Sequence, residues 1–288
     1  MGAHAVTDWS DELATALRLG ADAGALAMER FGRPTSVRNK PGGAGPVSDT
    51  DLAVDALLTA GLREAFADDR VVSEESPPPD PDSKGRVWYV DPIDGTREYL
   101  RGRRGWAICI GLCVDGRPVL GVITQPARGW TAYAICDGAA VAWGVDADAI
   151  PDDPTLAPRL HLRDPASAPV LATGWAPPFS RANQIRRRLG VGRSHTRQVG
   201  SVALRIGFVA RGDADVYAQA PGRLQTWDTC AAHAVAVGAG AVVTDLGGDP
   251  LDYRPDRPAH ARGILVAGPS AHARARLRLG GLLRSGRG

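Results

Sequence analysis

Residues 87–96 read VWYVDPIDGT. The apolar run Val87–Val90 predicts a strand that ends at Asp91. A proline fixes one φ angle after Asp91, and a glycine permits a tight bend after Asp94, so the two carboxylates can converge on one point. Close carboxylates repel each other unless they are protonated or bridged by a cation, and oxygen ligands favour a hard cation such as magnesium. The segment therefore predicts a metal-binding turn or a plain surface turn, since Asp, Pro and Gly are also common turn formers.

The residues after this turn, Thr96–Leu100, are expected to begin a short helix. Backbone N–H groups at the start of a helix have no intrahelical acceptor, and they suit a phosphate group. This part of the chain is therefore a candidate phosphate-binding segment beside the two carboxylates.

Three other acidic segments precede or follow this stretch: 48–51 (SDTD), 73–76 (SEES) and 226–229 (TWDT). Each has a purely structural alternative. Glu75 suits a solvated loop, Asp51 has the spacing to complete a capping box with a residue at 48, and Asp228 suits the positive end of a helix macrodipole. Taken together and in this order, the segments favour one shared acidic site.

The remaining pattern is α+β in the first half of the chain and alternating α/β in the second. A first helix is expected at 9–31 with Ser10 as its cap, and a second at 48–66 with Leu52 among its inward positions. Gly- and Pro-rich loops are expected at 41–46 and 76–85. Strands are expected at 70–73, 106–114, 118–124, 131–136, 169–173, 216–217 and 241–244, with helices at 180–189, 202–210 and 228–238.

The acidic segments, with two others, give the chain a clear resemblance to the inositol monophosphatase superfamily of lithium-sensitive, magnesium-dependent phosphatases. The matching pieces occur in family order and span most of the chain. They are PVSDTD (46–51), SEES (73–76), WYVDPIDGT (88–96), GSVALR (200–205) and WDTCAA (227–232).

This resemblance implies a set of magnesium ligands. Glu74, Asp91 and the carbonyl group of Ile93 would hold one ion, while Asp91, Asp94 and Asp228 would hold a second. Glu74 would also reach a third, weaker ion through water molecules. Two or three magnesium ions per active site are therefore expected as cofactors.

The resemblance also implies how the reaction proceeds. Thr96 and Asp51 would orient and activate the attacking water, and the N–H groups of Gly95 and Thr96 would hold the phosphate. Metal ions would neutralise the phosphate charge and stabilise the leaving alkoxide. Cysteine and serine side chains are not expected to attack the substrate.

The fold that the resemblance implies is an α/β protein with layered α/β/α/β/α packing. An N-terminal α+β metal-binding half is expected at 1–145, a linker or hinge at 146–168, and a C-terminal α/β half that completes the active site at 169–288. The site would lie in the cleft between the halves.

The organic part of the substrate is less clearly encoded. Arg97–Tyr99 resembles the basic-Glu-aromatic sequence of the 3'(2'),5'-bisphosphate nucleotidase branch, in which Ser201 and Arg205 would approach the substrate. The basic run Arg101–Arg104 suits either a second phosphate or a solvated loop. The favoured substrate is a nucleoside bisphosphate such as adenosine 3',5'-bisphosphate. The alternatives are inositol, histidinol or sugar phosphates, an unusual pathway nucleotide, and a non-catalytic relative that binds phosphorylated ligands.

Composition narrows the class of partner. The chain has 288 residues, a formal net charge of +2 and 44% hydrophobic residues. A nearly neutral chain is atypical of proteins that bind nucleic-acid polymers or membrane surfaces, and no apolar run approaches a bilayer span. Four scattered cysteines and an acidic N-terminus predict a cytoplasmic protein without a signal peptide. Its expected partner is a small phosphorylated substrate, and a homodimer is compatible with the family.

Overall fold

The computed structural model describes residues 7–33, 36–40, 45–75, 85–138, 140–146, 150–164, 168–175, 180–222 and 224–282. Most of the two expected Gly- and Pro-rich loops, and parts of the expected linker, lie outside these residues. The described chain contains seven α-helices. They are α1 (Ser10–Arg30), α2 (Asp49–Ala65), α3 (Thr96–Leu100), α4 (Arg181–Leu189), α5 (Val202–Ala210), α6 (Thr226–Gly238) and α7 (Pro269–Leu279).

The described strands form a hairpin and two larger sheets. The hairpin joins β1 (Val37–Asn39) and β2 (Pro46–Ser48). The six-stranded sheet follows chain order: β3 (Arg70–Ser73), β4 (Arg86–Asp94), β5 (Ala107–Val114), β6 (Arg117–Gln125), β7 (Trp130–Ile135) and β8 (Val141–Asp146). The five-stranded sheet has the spatial order β10 (Thr196–Gln198), β9 (Leu171–Thr173), β11 (Val216–Gln219), β13 (Ile264–Ala267) and β12 (Val242–Thr244).

These elements stack in five layers. Helices α1 and α2 cover one face of the six-stranded sheet, α5 and α6 lie between the two sheets, and α4 and α7 cover the outer face of the second sheet. Three apolar clusters fill the spaces between the layers: one beneath α1 and α2, one around α5 and α6 that reaches both sheets, and one beneath α4 and α7. The predicted α/β/α/β/α architecture is confirmed.

Helix α6 packs unusually close to the six-stranded sheet. A Cβ atom added at Gly121 would lie 2.2 Å from the carbonyl oxygen of Ala231, and one added at Gly111 would lie 2.6 Å from the backbone nitrogen of the same residue. Such distances leave no room for a side chain on either strand. The two glycines therefore bring the start of α6 down to the sheet, next to the end of β4.

Strand β4 does not end at Asp91, as the sequence predicts, but continues to Asp94. Asp91 pairs with Cys109 and Asp94 with Ala107, so the register shifts between them. Pro92 has no N–H group to donate and therefore sits at the irregularity rather than within regular pairing. The expected turn is a β-bulge that keeps both carboxylates on the sheet.

Two local predictions in the helices are wrong. Ser10 is the first residue of α1 rather than its cap, and its N–H donates to Asp8 Oδ1 at 3.0 Å. Leu52 is exposed on α2, whereas Leu58 and Leu62 are fully buried. One helix face can meet the sheet, and full burial of each leucine there stabilises the fold by about 1.5–3 kcal/mol. Among the described residues, no helix is both long and apolar enough to cross a membrane.

Candidate active site

The bulge in β4 and the following glycine place the DPIDGT segment. Gly95 has φ of +100°, in the left-handed region that favours glycine. A Cβ atom there would lie 3.1 Å from the carbonyl oxygen of Gly105 and 3.4 Å from the backbone nitrogen of Ser201. Only glycine therefore lets this turn pass between two neighbouring backbones and lead into α3.

Three carboxylates meet at this point. Oxygen atoms of Asp91, Asp94 and Asp228 all lie within 4.8 Å of one another. Asp91 and Asp94 come from β4, whereas Asp228 lies in the first turn of α6, where its Oδ2 accepts the N–H of Gln225 at 2.8 Å. This confirms the predicted position of Asp228 at a helix N-terminus. Asp228 therefore lies at the positive end of the α6 macrodipole and in the shared acidic cluster at the same time.

The electrostatics of this group are unfavourable without a cation. Burial raises the pKa of Asp91 well above its ordinary value, and the charges of Glu74, Asp94 and Asp228 raise it further. The pKa of Asp228 is raised in the same way, by burial and then by Asp94 and Glu74. Carboxylates that share a small buried space hold protons or bind a metal ion.

Asp94 also connects strand β4 to the start of helix α5. Its Oδ2 accepts the Ser201 hydroxyl and the N–H of Ala203, both at 2.6 Å, and its Oδ1 accepts the N–H of Val202 at 3.1 Å. Burial raises the pKa of Asp94, and these hydrogen bonds oppose that shift. Ser201 is fully buried, its oxygen caps α5, and its hydroxyl orients Asp94. The resemblance had implied that Ser201 approaches the substrate, and this structure gives it a role in holding a carboxylate.

A second pair, Thr96 and Asp51, adjoins the cluster. The Thr96 hydroxyl lies 3.0 Å from Asp51 Oδ1 and 3.2 Å from the carbonyl oxygen of Ile93. Asp51 Oδ2 accepts the N–H of Ser48 at 2.9 Å, which completes the predicted capping box. Burial raises the pKa of Asp51 despite these hydrogen bonds. The Asp51 carboxylate therefore caps α2 and also contacts Thr96 in the candidate site.

Lys40 is a site residue that the sequence did not indicate. Its Nζ lies 2.6 Å from Glu74 Oε1 and 2.6 Å from Glu75 Oε1. Burial alone would lower the pKa of the Lys40 ammonium, but the two carboxylates outweigh it and raise that pKa. Burial also raises the pKa of Glu75 to about 6. Glu75 is therefore not the solvated residue that was expected. Glu74, which binds Lys40 instead, is not part of the group formed by the three aspartates.

A cavity of about 440 Å³ opens beside the cluster. Glu74, Gly95 and Thr96 line it together with three arginines, Arg97, Arg101 and Arg205. The Arg205 guanidinium is held by three hydrogen bonds, to the carbonyl groups of Val199 and Gly200 and to Gln219 Oε1. Arg205 also donates a hydrogen bond to the Tyr217 hydroxyl. Since a guanidinium has five N–H donors, one remains for a ligand.

The donor set fits magnesium. It consists of oxygen atoms only, from three clustered carboxylates with Glu74 and the Ile93 carbonyl group nearby, which suits a hard cation. The described part of the chain shows no histidine or cysteine ligand in this cluster.

The four cysteines are free; Cys113 and Cys230 pack in the core with their sulfur atoms 3.3 Å apart.

A layered α/β fold with an acidic cluster in a cleft defines a class of phosphatases that act on small phosphorylated molecules. The sequence profile of the Inositol monophosphatase family matches residues 8–278. The chain therefore belongs to this family, and the resemblance drawn from its motifs is confirmed.

Relatives of known name point to more than one substrate. The chain is 32% identical to the 3'(2'),5'-bisphosphate nucleotidase CysQ of Escherichia coli (strain K12) over 242 residues, which cover 83% of this chain and 92% of that protein. It is also 32% identical to the histidinol-phosphatase of Mycobacterium tuberculosis over 247 residues, covering 83% and 88%. Among solved structures, Thermotoga maritima IMPase TM1415 superposes with a TM-score of 0.78 at 23% identity, covering 96% of this chain and 99% of that one. That likeness shows the fold alone.

Proposed function

We propose that this phosphatase is a magnesium-dependent nucleotidase that removes the 3'- or 2'-phosphate of a nucleoside bisphosphate such as adenosine 3',5'-bisphosphate. The observation that carries the proposal is the cavity next to the carboxylates, which three arginines line. A substrate with a single phosphate leaves most of this positive charge unpaired, whereas a second phosphate can accept paired hydrogen bonds from a guanidinium. The 32% identity to a bisphosphate nucleotidase supports the same substrate.

The clustered carboxylates support the expected set of metal ligands. Asp91, Asp94 and Asp228 would hold magnesium, together with Glu74 and the carbonyl group of Ile93. When bound, magnesium would neutralise phosphate charge and make a water molecule a stronger nucleophile. Glu74 Oε1 lies 2.6 Å from Lys40 Nζ, so Glu74 would first have to leave this ion pair to bind magnesium.

Thr96 and Asp51 are suited to orient the attacking water. The Thr96 hydroxyl has one proton, and donating it to Asp51 Oδ1 leaves the Thr96 oxygen free to accept a proton from water. Ser48 holds the other oxygen of Asp51, so the carboxylate cannot rotate away. Burial raises the pKa of Asp51, which makes this carboxylate a better proton acceptor than an exposed aspartate.

The phosphate itself would lie against Gly95 and Thr96. Both line the cavity, and the first turn of α3 leaves backbone N–H groups there without intrahelical acceptors. The halves expected at 1–145 and 169–288 would then contribute different parts of one site. The first half carries the phosphate-binding turn and most carboxylates, and the second carries Asp228 and Arg205.

A phosphate-release panel tests the proposal. Purified protein with magnesium is assayed on adenosine 3',5'-bisphosphate, AMP, inositol 1-phosphate and histidinol phosphate. The expected result is the highest kcat/KM on the bisphosphate. The histidinol-phosphatase relative makes histidinol phosphate the second candidate, and a clear preference for it or for inositol 1-phosphate contradicts the proposal. Tight binding of one compound without phosphate release would indicate a non-catalytic binding protein instead.

A further inference from the structure

Trp175 is unusual in its exposure. It is 55% exposed, and it is the only aromatic residue among the large apolar side chains that stand exposed in the described part of the chain. Three other tryptophans, Trp9, Trp88 and Trp143, are buried and donate their indole N–H groups to protein acceptors. An isolated exposed apolar residue needs no explanation by itself, so the position of Trp175 decides its meaning.

That position is the wall between the active-site cavity and a second one. Trp175 and Arg205 both line the cavity of about 440 Å³ and an adjoining cavity of about 290 Å³. Gly174 allows this proximity, because a Cβ atom there would lie 2.8 Å from Arg205 Nη2. Trp175 therefore lines, together with Arg205, the space that opens beside the carboxylates.

A different arginine, Arg103, contacts the Trp175 ring itself. The Arg103 guanidinium carbon lies 5.7 Å from the centre of the Trp175 ring. Arg103 also forms an ion pair with the buried Glu98 at 3.5 Å, which ties it to α3 and the phosphate-binding turn. Contact with a cation favours one arrangement of the indole over the many open to a free surface side chain.

We propose that Trp175 is the stacking surface for the planar base of the substrate, and that Arg103 holds the indole in place for it. This inference rests on the proposed nucleotidase function and assigns the residue that binds the purine or pyrimidine base. An aromatic face binds a base through stacking, with little dependence on which base it is. A polyol phosphate such as inositol 1-phosphate has no planar group to use such a surface, so Trp175 becomes a residue that separates nucleotides from polyol phosphates.

The test compares Trp175→Ala and Trp175→Phe with the unmodified protein on two substrates, adenosine 3',5'-bisphosphate and the base-free β-glycerophosphate. We expect Trp175→Ala to lower kcat/KM for the nucleotide by about 5- to 150-fold, the contribution of one base–aromatic stack, mainly through KM. Activity on β-glycerophosphate should not change, and Trp175→Phe should retain most of the nucleotide activity. Leu277→Ala removes another highly exposed apolar side chain, on α7, and serves as the control.

Equal losses on both substrates, or no loss on the nucleotide, would overturn the proposal. If adenosine 3',5'-bisphosphate proves a poor substrate, the proposed function is contradicted, but the stacking surface can still be tested by inhibition. For each variant, the inhibition constant of AMP is compared with that of ribose 5-phosphate, which has the sugar phosphate without the base. The stacking surface predicts that Trp175→Ala removes the advantage of AMP, and an unchanged ratio would refute it; thermal melting confirms that each variant is folded.

Discussion

The Ser201 hydroxyl donates a hydrogen bond to Asp94 Oδ2 at 2.6 Å. The same Ser201 oxygen accepts the N–H of Leu204 at 3.0 Å and so caps α5. One buried hydroxyl group therefore fixes the start of a helix in the central layer and the orientation of a carboxylate on β4. Removing it should affect both stability and magnesium binding.

The first prediction concerns Ser201→Ala. Loss of a helix cap and of a buried hydrogen bond to a carboxylate should lower the free energy of unfolding by about 1–3 kcal/mol. Because partners that orient metal ligands affect metal affinity, the half-saturating magnesium concentration should rise by about 10- to 100-fold. Denaturant unfolding and a magnesium titration of activity measure the two effects.

A matched control exists at Ser180, which caps α4 through the N–H of Asn183. Ser180→Ala removes the same kind of cap away from the carboxylates. It should reduce stability and leave the magnesium requirement unchanged. If Ser201→Ala behaves in the same way, its contact with Asp94 has no role in metal binding.

The second prediction concerns Lys40. The Lys40 ammonium forms an ion pair with Glu74, a proposed metal ligand, so magnesium must displace the ammonium to bind this carboxylate. Lys40→Met should therefore lower the magnesium concentration that gives half of the maximal thermal stabilisation in the absence of substrate. Arg38→Met removes a cation from the same hairpin whose partner, Asp49, lies outside the cluster, and it should have no such effect. Weaker magnesium binding in Lys40→Met would mean that Lys40 helps to organise the site.

The sequence identified the acidic cluster because its signals are local or ordered along the chain. Asp91 and Asp94 follow an apolar strand, Asp51 has capping-box spacing, and Asp228 starts a helix. Lys40 gave no comparable signal, because its significance depends on a contact with a residue 34 positions away. The hydrogen bond between Ser201 and Asp94, across 107 positions, is hidden from local pattern for the same reason.

The fold was predictable to a similar extent. Long periodic segments such as α1 and α2 were expected close to their observed bounds, whereas β8, β10, β13 and α7 were not expected at all. Helix α7 buries His272, Ala275 and Leu279 along one face, but several arginines between them obscure the apolar period. Short strands such as β10 are fixed by pairing with neighbours rather than by their own composition.

The third prediction links magnesium binding to pH. The raised pKa values of Asp91, Asp94 and Asp228 mean that the metal-free fold retains protons that the unfolded chain has released. The contribution of these groups to stability is therefore complete below the ordinary aspartate pKa of 3.8 and is lost as pH rises through the raised values. Magnesium replaces the protons, so its stabilising effect should be larger at about pH 8 than at about pH 5.5.

The measurement is the difference in Tm with and without magnesium across this pH range. Burial lowers the pKa of His233 to about 3 and that of His260 to about 4, so both destabilise the fold as pH falls below their ordinary value of 6.5. This histidine effect is the same with and without magnesium, so it cancels in the difference between the two Tm values. Asp228→Asn should lose most of the magnesium effect at every pH. A magnesium effect that is constant with pH would contradict proton displacement from the cluster.

The fourth prediction concerns Arg205, whose guanidinium lines the active-site cavity and has one N–H donor left after its hydrogen bonds to Val199, Gly200, Gln219 and Tyr217. If this donor binds the second phosphate of the substrate, Arg205→Met should lower kcat/KM for adenosine 3',5'-bisphosphate by about ten- to a hundred-fold, the effect of losing a hydrogen bond to a charged group. Inositol 1-phosphate has no second phosphate, so its turnover should change little. Arg188→Met, on the exposed side of α4, controls for the loss of a positive charge. Equal losses on both substrates would mean that Arg205 acts mainly by holding the carbonyl groups of Val199 and Gly200, and the second phosphate would then have to bind at Arg97 or Arg101.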